Sequence, residues 1–129
     1  MIGLFLLTHS TYGEALIQCA CHVLNKRPLQ IAQLGVAAQD DPLDALPLAR
    51  DMLKLVDTGR GVLILTDIYG ATPSNLAMKL LEPGRIEGIA GVNLPMLLRA
   101  IAYRDKEMEI LVTRAVAGGR DGVLNMLKH

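Results

Sequence analysis

The sequence has few aromatic residues and no surplus of charge of either sign. It contains no tryptophan, one phenylalanine and three tyrosines, and its 13 basic residues balance 13 acidic ones. Binding of nucleic acid relies on a basic surface for the phosphates and, for single strands, on aromatic rings for the bases. We therefore expect no nucleic acid among the partners, and no electrostatic attraction to anionic lipid.

A long apolar run and a secretory leader are also missing. No run approaches the roughly 18 residues that a membrane-spanning helix needs. The short apolar run at the amino terminus has neither a basic start nor a small-residue cleavage site after it, so it does not resemble a signal peptide. We therefore expect a complete, cytoplasmic chain.

Motifs of several enzyme classes are absent. The sequence has neither GxxxxGK[ST] nor GxGxxG, which cradle nucleotide phosphates, and no serine lies in G-x-S-x-G. Cys19 and Cys21 are two positions apart on a predicted helix, so they point in different directions and cannot form a disulfide. With His22 they lack the second ligand pair of a zinc site. We expect neither a metal nor a cofactor.

The apolar content is sufficient for one folded domain over residues 1–129, with 51% hydrophobic and 20% charged residues. Short apolar runs typical of strands alternate with amphipathic runs typical of helices. The predicted strands are residues 2–7, 29–36, 62–66 and 86–92, with a short final strand at 122–127. The predicted helices are residues 12–24, 46–56 and 74–81, one from 93 or 94 to 103, and 107–117. A loop is predicted at residues 37–41.

Several helix boundaries depend on capping and helix-breaking residues. Thr11 opens a Ser/Thr-x-x-Glu pattern, so we expect it to cap the first helix. Thr72 is followed by proline, which is the form of a helix start. Pro42 can begin the second helix, but Pro47 fits poorly in a helix interior, so we expect that helix mainly from residue 46. The glycine pair at 118–119 is expected to stop the last helix.

The alternation of strands and helices predicts an α/β fold, a three-layer sandwich with helices on both faces of a mostly parallel sheet. In such sheets ligands bind beyond the carboxyl ends of the strands, where the strand order reverses. If the order begins 2-1-3-4, this crevice lies between the first and third strands. His9 follows the first strand and Asp67 follows the third. We therefore expect the two side chains to face each other.

A histidine beside a carboxylate suits phosphoryl transfer. Asp67 accepting the Nδ1–H of His9 would fix the tautomer and leave Nε2 as the nucleophile. The phosphoryl group would find donors in the backbone N–H groups near Ser10 and Thr11 and in the Thr72 hydroxyl. Each residue alone has a plainer explanation. His9 could be a polar residue at the edge of a loop, Asp67 could cap its loop, and Thr72 could cap its helix. Their convergence at one switch point favours a phosphohistidine carrier.

His9, the stretch TDIYGATPSN at 66–75 and GVNLPML at 91–97 together resemble the enzyme IIA components of the mannose family in the bacterial phosphoenolpyruvate:sugar phosphotransferase system. The resemblance implies that the phosphocarrier HPr phosphorylates His9, with Asp67 orienting the ring and Thr72 binding the phosphate. A IIB component would then receive the group for sugar uptake. It also implies a 2-1-3-4 sheet whose antiparallel edge strand, here residues 122–127, is exchanged across a homodimer. Contact with a membrane would be indirect, through a permease.

The phosphoryl acceptor stays open, because the sequence ends at His129 without a linker or a fused IIB domain. It is a separate IIB protein, a regulatory target that senses the phosphorylation state, or a dihydroxyacetone kinase, whose phosphotransfer subunit shares the fold. The main rival is a receiver domain phosphorylated on Asp67. Receivers hold Mg²⁺ with an acidic pair after the first strand, where this chain has Thr8-His9-Ser10. A non-catalytic dimerisation module is the third alternative.

Overall fold

The computed structural model describes residues 1–37 and 39–128, so Ala38 of the predicted loop and His129 lie outside the described residues. The strands are β1 Gly3–His9, β2 Ile31–Val36, β3 Val62–Thr66 and β4 Ile86–Ala90. The helices are α1 Tyr12–Leu24, α2 Pro42–Val56, α3 Thr72–Met78, α4 Leu94–Tyr103 and α5 Met108–Asp121, followed by a 3₁₀ turn at Met126–Lys128. None of these helices, as described, is long and apolar enough to cross a membrane.

The four strands form one sheet in the order β2-β1-β3-β4. Each neighbouring pair runs parallel, with His9 beside Val36 and Leu6 beside Leu65. The predicted α/β class and the 2-1-3-4 order are therefore confirmed. Because β1 lies between β2 and β3, the strand order reverses at β1, and the crevice opens above the carboxyl ends of β1 and β3.

Both faces of β1 are buried, which explains why its sequence is a continuous apolar run. Side chains alternate between the two faces along a strand. Leu4 and Leu6 pack under α1, α4 and α5, whereas Phe5 and Leu7 pack under α2 and α3. The sheet is thus the middle layer of three, and β1 lies inside it between β2 and β3.

Helix α2 begins four residues earlier than predicted and contains Pro47. The Asp41 carboxylate caps it by accepting the N–H of Leu43 at 2.9 Å, and Pro42 lies in the first turn. Pro47 has no N–H to donate to the carbonyl of Leu43. Because Leu43 is 66% exposed, water can satisfy that carbonyl. The expectation that Pro47 would keep the helix from starting earlier was therefore wrong.

The predicted helix stop at Gly118 and Gly119 is also wrong, because α5 continues to Asp121. Both glycines are buried against α4. A Cβ on Gly118 would lie 2.6 Å from Cβ of Arg99, and one on Gly119 would lie 2.7 Å from Cε of Met96. The missing side chains allow the two helices to pack closely, so the pair serves tertiary packing and does not end the helix.

Residues 122–127 form no strand within the described chain. Gly122 follows the end of α5, and a 3₁₀ turn occupies the last described residues. Three apolar side chains of this segment are largely exposed, Val123 by 74%, Met126 by 92% and Leu127 by 95%. The antiparallel edge strand and its exchange between two copies stay a prediction.

Gly35 of β2 has no room for a side chain, because a Cβ would overlap the carbonyl oxygen of Ser10. The Ser10 backbone cannot withdraw easily, since its N–H donates to the carbonyl of Val36 at 3.1 Å. We expect Gly35→Ala to lower the free energy of unfolding by about 2–3 kcal/mol, as measured by urea denaturation. In Gly88→Ala the added Cβ would lie 3.3 Å from its nearest neighbour, Cδ2 of Leu81. This is a side-chain atom that can shift. We expect a loss below about 1 kcal/mol there, and equal losses in the two variants would contradict the steric explanation.

Candidate functional site

His9 and Asp67 face each other at the carboxyl ends of β1 and β3, although they are 58 positions apart in the sequence. Oδ2 of Asp67 lies 2.8 Å from Nδ1 of His9 and accepts the backbone N–H of His9 at 3.0 Å. The imidazole is 42% exposed and the carboxylate 15% exposed. One oxygen therefore contacts both the backbone and the ring of the same residue, which fixes the ring relative to the end of the strand.

The Asp67 carboxylate is held in its ionised form. Burial raises the pKa of this carboxyl, but hydrogen bonds from the backbone and the ring of His9 outweigh burial, so the pKa lies below its ordinary value of 3.8. An ionised carboxylate can only accept hydrogen bonds. The proton of a neutral His9 ring therefore sits on Nδ1, and the lone pair of Nε2 is free to act as a nucleophile.

The turn from His9 into α1 is capped by a residue other than the predicted one. Thr11 occupies the cap position, but its side chain makes no capping hydrogen bond. Oγ1 of Thr8 accepts the N–H of Gly13 at 2.8 Å instead. The predicted capping box is therefore wrong. Sequence reasoning misses Thr8 because this residue belongs to the end of the first apolar run and carries no cap signal of its own.

The backbone N–H groups of Ser10 and Thr11 were both expected to bind phosphate, but they differ in whether they already have an acceptor. The N–H of Ser10, a residue with a left-handed φ of 46°, donates to the carbonyl of Val36. The N–H of Thr11 has no acceptor among the described residues. It belongs with the unpaired amides that begin α1, where the positive end of the helix dipole favours an anion.

Thr72 is the first residue of α3, and Ala71 occupies the cap position, so the predicted cap at Thr72 lies one residue off. Ser74 organises this turn, because its Oγ accepts the N–H of Gly70 at 2.8 Å and donates to the carbonyl of Ala71 at 3.2 Å. The Thr72 hydroxyl has no hydrogen-bond partner in the part of the chain described. It is therefore available to a ligand at the carboxyl edge of the sheet.

Tyr12 and Asn93 connect this edge to α4. The Tyr12 hydroxyl donates to the carbonyl of Val92 at 2.8 Å, and the Asn93 side chain caps α4 by accepting the N–H of Met96 at 2.9 Å. The start of α4 agrees with the predicted start at residue 93 or 94, whereas the Tyr12 contact had no signal in the sequence. No three histidine, cysteine, aspartate or glutamate residues among those described are grouped so that they could hold a metal ion.

The family model described as "PTS system fructose IIA component" matches residues 3–116. The chain belongs to this family. The model is that of the mannose-family IIA components (EIIA-man), and the match includes His9 and both motifs on which the sequence resemblance rests. The resemblance to a mannose-family IIA component is therefore confirmed. A IIA component is a phosphotransferase-type protein. Phosphoryl transfer is therefore the chemistry to consider for the edge of the sheet at which His9 and Asp67 lie.

Individual relatives agree with the family match. The "PTS system mannose-specific EIIAB component" of Escherichia coli (strain K12) is 30% identical over 125 residues, which is 95% of this IIA chain but only 38% of the relative. A phosphotransferase component EIIA from Streptococcus agalactiae superimposes with a TM-score of 0.87 at 19% identity, covering 100% of both chains. The mannose/sorbose specific IIA subunit from Enterococcus faecalis gives 0.85 at 22% identity, covering 96% and 93%. At these identities the two structures show a common fold.

Proposed function

We propose that this IIA protein is a cytoplasmic phosphohistidine carrier, which accepts a phosphoryl group from HPr on Nε2 of His9 and passes it to a IIB component. The contact of Asp67 Oδ2 with both the ring and the backbone of His9 carries the proposal. It leaves one ring nitrogen free, holds it in one orientation, and exposes it to a protein partner.

In the transfer step, the lone pair of Nε2 attacks phosphorus, the Nε2–P bond forms, and the bond between phosphorus and the donor breaks. The proton on Nδ1 stays in place, so the phosphorylated ring gains positive charge. The neighbouring Asp67 carboxylate stabilises that charge. Passing the group to the acceptor reverses these changes, because the Nε2–P bond breaks and the ring becomes neutral again.

The phosphoryl oxygens need donors, and we assign Ser10, Thr11 and Thr72 to this role. Among the described residues, neither the N–H of Thr11 nor the hydroxyl of Thr72 has a hydrogen-bond partner. Thr11 and Ser10 also offer exposed hydroxyls. The amino terminus of α1 adds its positive dipole. No arginine or lysine belongs to this set, which suits a group that is held briefly and released to another protein.

The family match and the named E. coli relative support HPr as donor and a IIB component as acceptor. Incubation with phosphoenolpyruvate, enzyme I and HPr tests the proposal. We expect one acid-labile, alkali-stable phosphoryl group per chain, which purified IIB protein then removes. Absence of label, or an alkali-labile acyl phosphate that requires Mg²⁺, would overturn the proposal, the latter in favour of a receiver.

We also propose that the protein is a homodimer in which residues 122–127 of each chain add to β4 of the other. Within the described sheet β4 pairs with one strand, β3, and Ile86 at its start also forms an isolated bridge with Glu82. A largely apolar groove lies between α3 and β4, with Ala77, Met78, Leu81 and Ile89 in its lining. The exposed apolar side chains of residues 122–127 match it in character. Sedimentation equilibrium of the full chain should give the mass of two chains, and a monomer at about 100 μM would contradict the exchange.

A further inference from the structure

Thr8 is a polar side chain with no exposed surface, next to the proposed phosphoacceptor. Its Oγ1 accepts the N–H of Gly13 at 2.8 Å and lies 3.4 Å from the carbonyl oxygen of His9, to which its hydrogen can point. One hydroxyl therefore bridges the last residue of β1 and the first turn of α1. A valine has nearly the same volume, but its methyl group cannot accept the N–H of Gly13.

The hydrogen bond from Gly13 to Thr8 matters because it takes the place of a capping bond to Thr11. The first N–H groups of a helix are usually satisfied by the side chain at the cap position. Thr11 occupies that position and makes no such bond. Since Thr8 accepts the N–H of Gly13 from three positions further back, the hydroxyl of Thr11 is not needed for capping. The N–H of Thr11 also has no acceptor among the described residues.

The three-residue turn between His9 and Gly13 is fixed at both ends. At one end Asp67 Oδ2 accepts the N–H of His9, and at the other Thr8 accepts the N–H of Gly13. Between them, the left-handed Ser10 is held against β2 by its bond to Val36. Loss of the Thr8 hydroxyl would free one end of this turn while the other end kept its contacts.

We propose that Thr8 is a positioning residue for phosphoryl transfer, whose buried hydroxyl holds the turn so that the N–H and hydroxyl of Thr11 meet the phosphoryl group on His9. This role rests on the proposed function. Thr8 does not touch the phosphoryl group itself. It acts through the geometry of the turn, as the supporting contacts of a preorganised site do.

The matched pair Thr8→Val and Thr8→Ser separates the hydroxyl from the packing. Valine keeps the volume and removes the hydroxyl, whereas serine keeps the hydroxyl and removes a methyl group. With HPr as donor, we expect Thr8→Val to lower kcat about tenfold while the KM for HPr stays within about twofold, because Thr8 is buried away from any docking surface. Thr8→Ser should retain kcat within about twofold of the wild type.

Amide hydrogen exchange of Gly13 supplies a readout that is independent of turnover, and thermal unfolding identifies a temperature at which all variants are folded. Exchange should be faster in Thr8→Val and unchanged in Thr8→Ser. A wild-type kcat in Thr8→Val, or an equal loss in Thr8→Ser, would overturn the positioning role while leaving the carrier function in place. A wild-type chain that takes no label from HPr would overturn the carrier function itself, and the role of Thr8 with it.

Discussion

Replacement of His9 by alanine should abolish phosphoryl uptake, with labelling from HPr below about 0.1% of the wild type at equal time. Within the proposed function the imidazole supplies the bond-forming atom, and no other ring nitrogen lies beside Asp67 among the described residues. The measurement is transfer of radiolabel from phosphoenolpyruvate through enzyme I and HPr. Because the His9 side chain is 42% exposed, its loss should leave the fold intact.

His22→Ala is the matched control, since His22 is an exposed histidine in α1. We expect this variant to be labelled as fast and as fully as the wild type. Circular dichroism should show equal helix content in both variants, so that a loss of label in His9→Ala cannot be attributed to unfolding. Equal labelling of His9→Ala and the wild type would remove His9 from the mechanism.

Asp67→Asn should slow phosphoryl transfer roughly a hundredfold, which corresponds to about 2.7 kcal/mol in the barrier. The asparagine amide cannot satisfy the site in either orientation. With its oxygen towards His9, the negative charge is lost and the amide NH₂ takes the place of Oδ1, which is buried without a partner among the described residues. With the NH₂ towards His9, two donors face each other and Nδ1 must give up its proton. Single-turnover transfer from HPr measures the effect, and a wild-type rate would remove the carboxylate from the mechanism.

The stability of the wild type relative to the same variant should depend on pH in a defined direction. The folded-state pKa of Asp67 lies below its ordinary value, so the ionised carboxylate favours the folded state. This contribution is complete above the ordinary pKa and is lost as the pH falls through the folded-state value. In urea unfolding, the wild type should exceed Asp67→Asn by a constant amount above about pH 5 and by less towards pH 3. A difference that persists undiminished at pH 3 would contradict the assigned pKa direction.

The sequence predicts those parts of the fold that have a distinct local pattern or that follow from a general rule of sheet topology. The prediction for β3 is correct to the residue, because an apolar run with β-branched residues, covered on both faces, has a distinct pattern. The placement of His9 opposite Asp67 follows from a topological rule for parallel sheets, without knowledge of any contact. The start of α4 was predicted at residue 93 or 94 from a short local signal, and the helix begins at Leu94.

The features that the sequence does not predict depend on tertiary neighbours. Thr11 and Thr72 carry cap signals, but Thr8 and Ser74 satisfy the amides near those two turns, from positions set by the approach of strand and helix. Gly118 has the sequence of a helix stop, yet it serves the packing of α5 on α4. In each case the local sequence favours one helix boundary or cap, but tertiary packing determines the one that forms.

The site joins β1 to β3, and its two side chains lie 58 positions apart. During synthesis on the ribosome, His9 emerges long before Asp67, and for that interval no carboxylate fixes its tautomer. Within the proposed function, the nascent chain is a poor acceptor until β3 has been translated and has added to β1, because both steps are needed to place Asp67 beside the ring. Phosphorylation by HPr would then begin once the centre of the sheet is assembled.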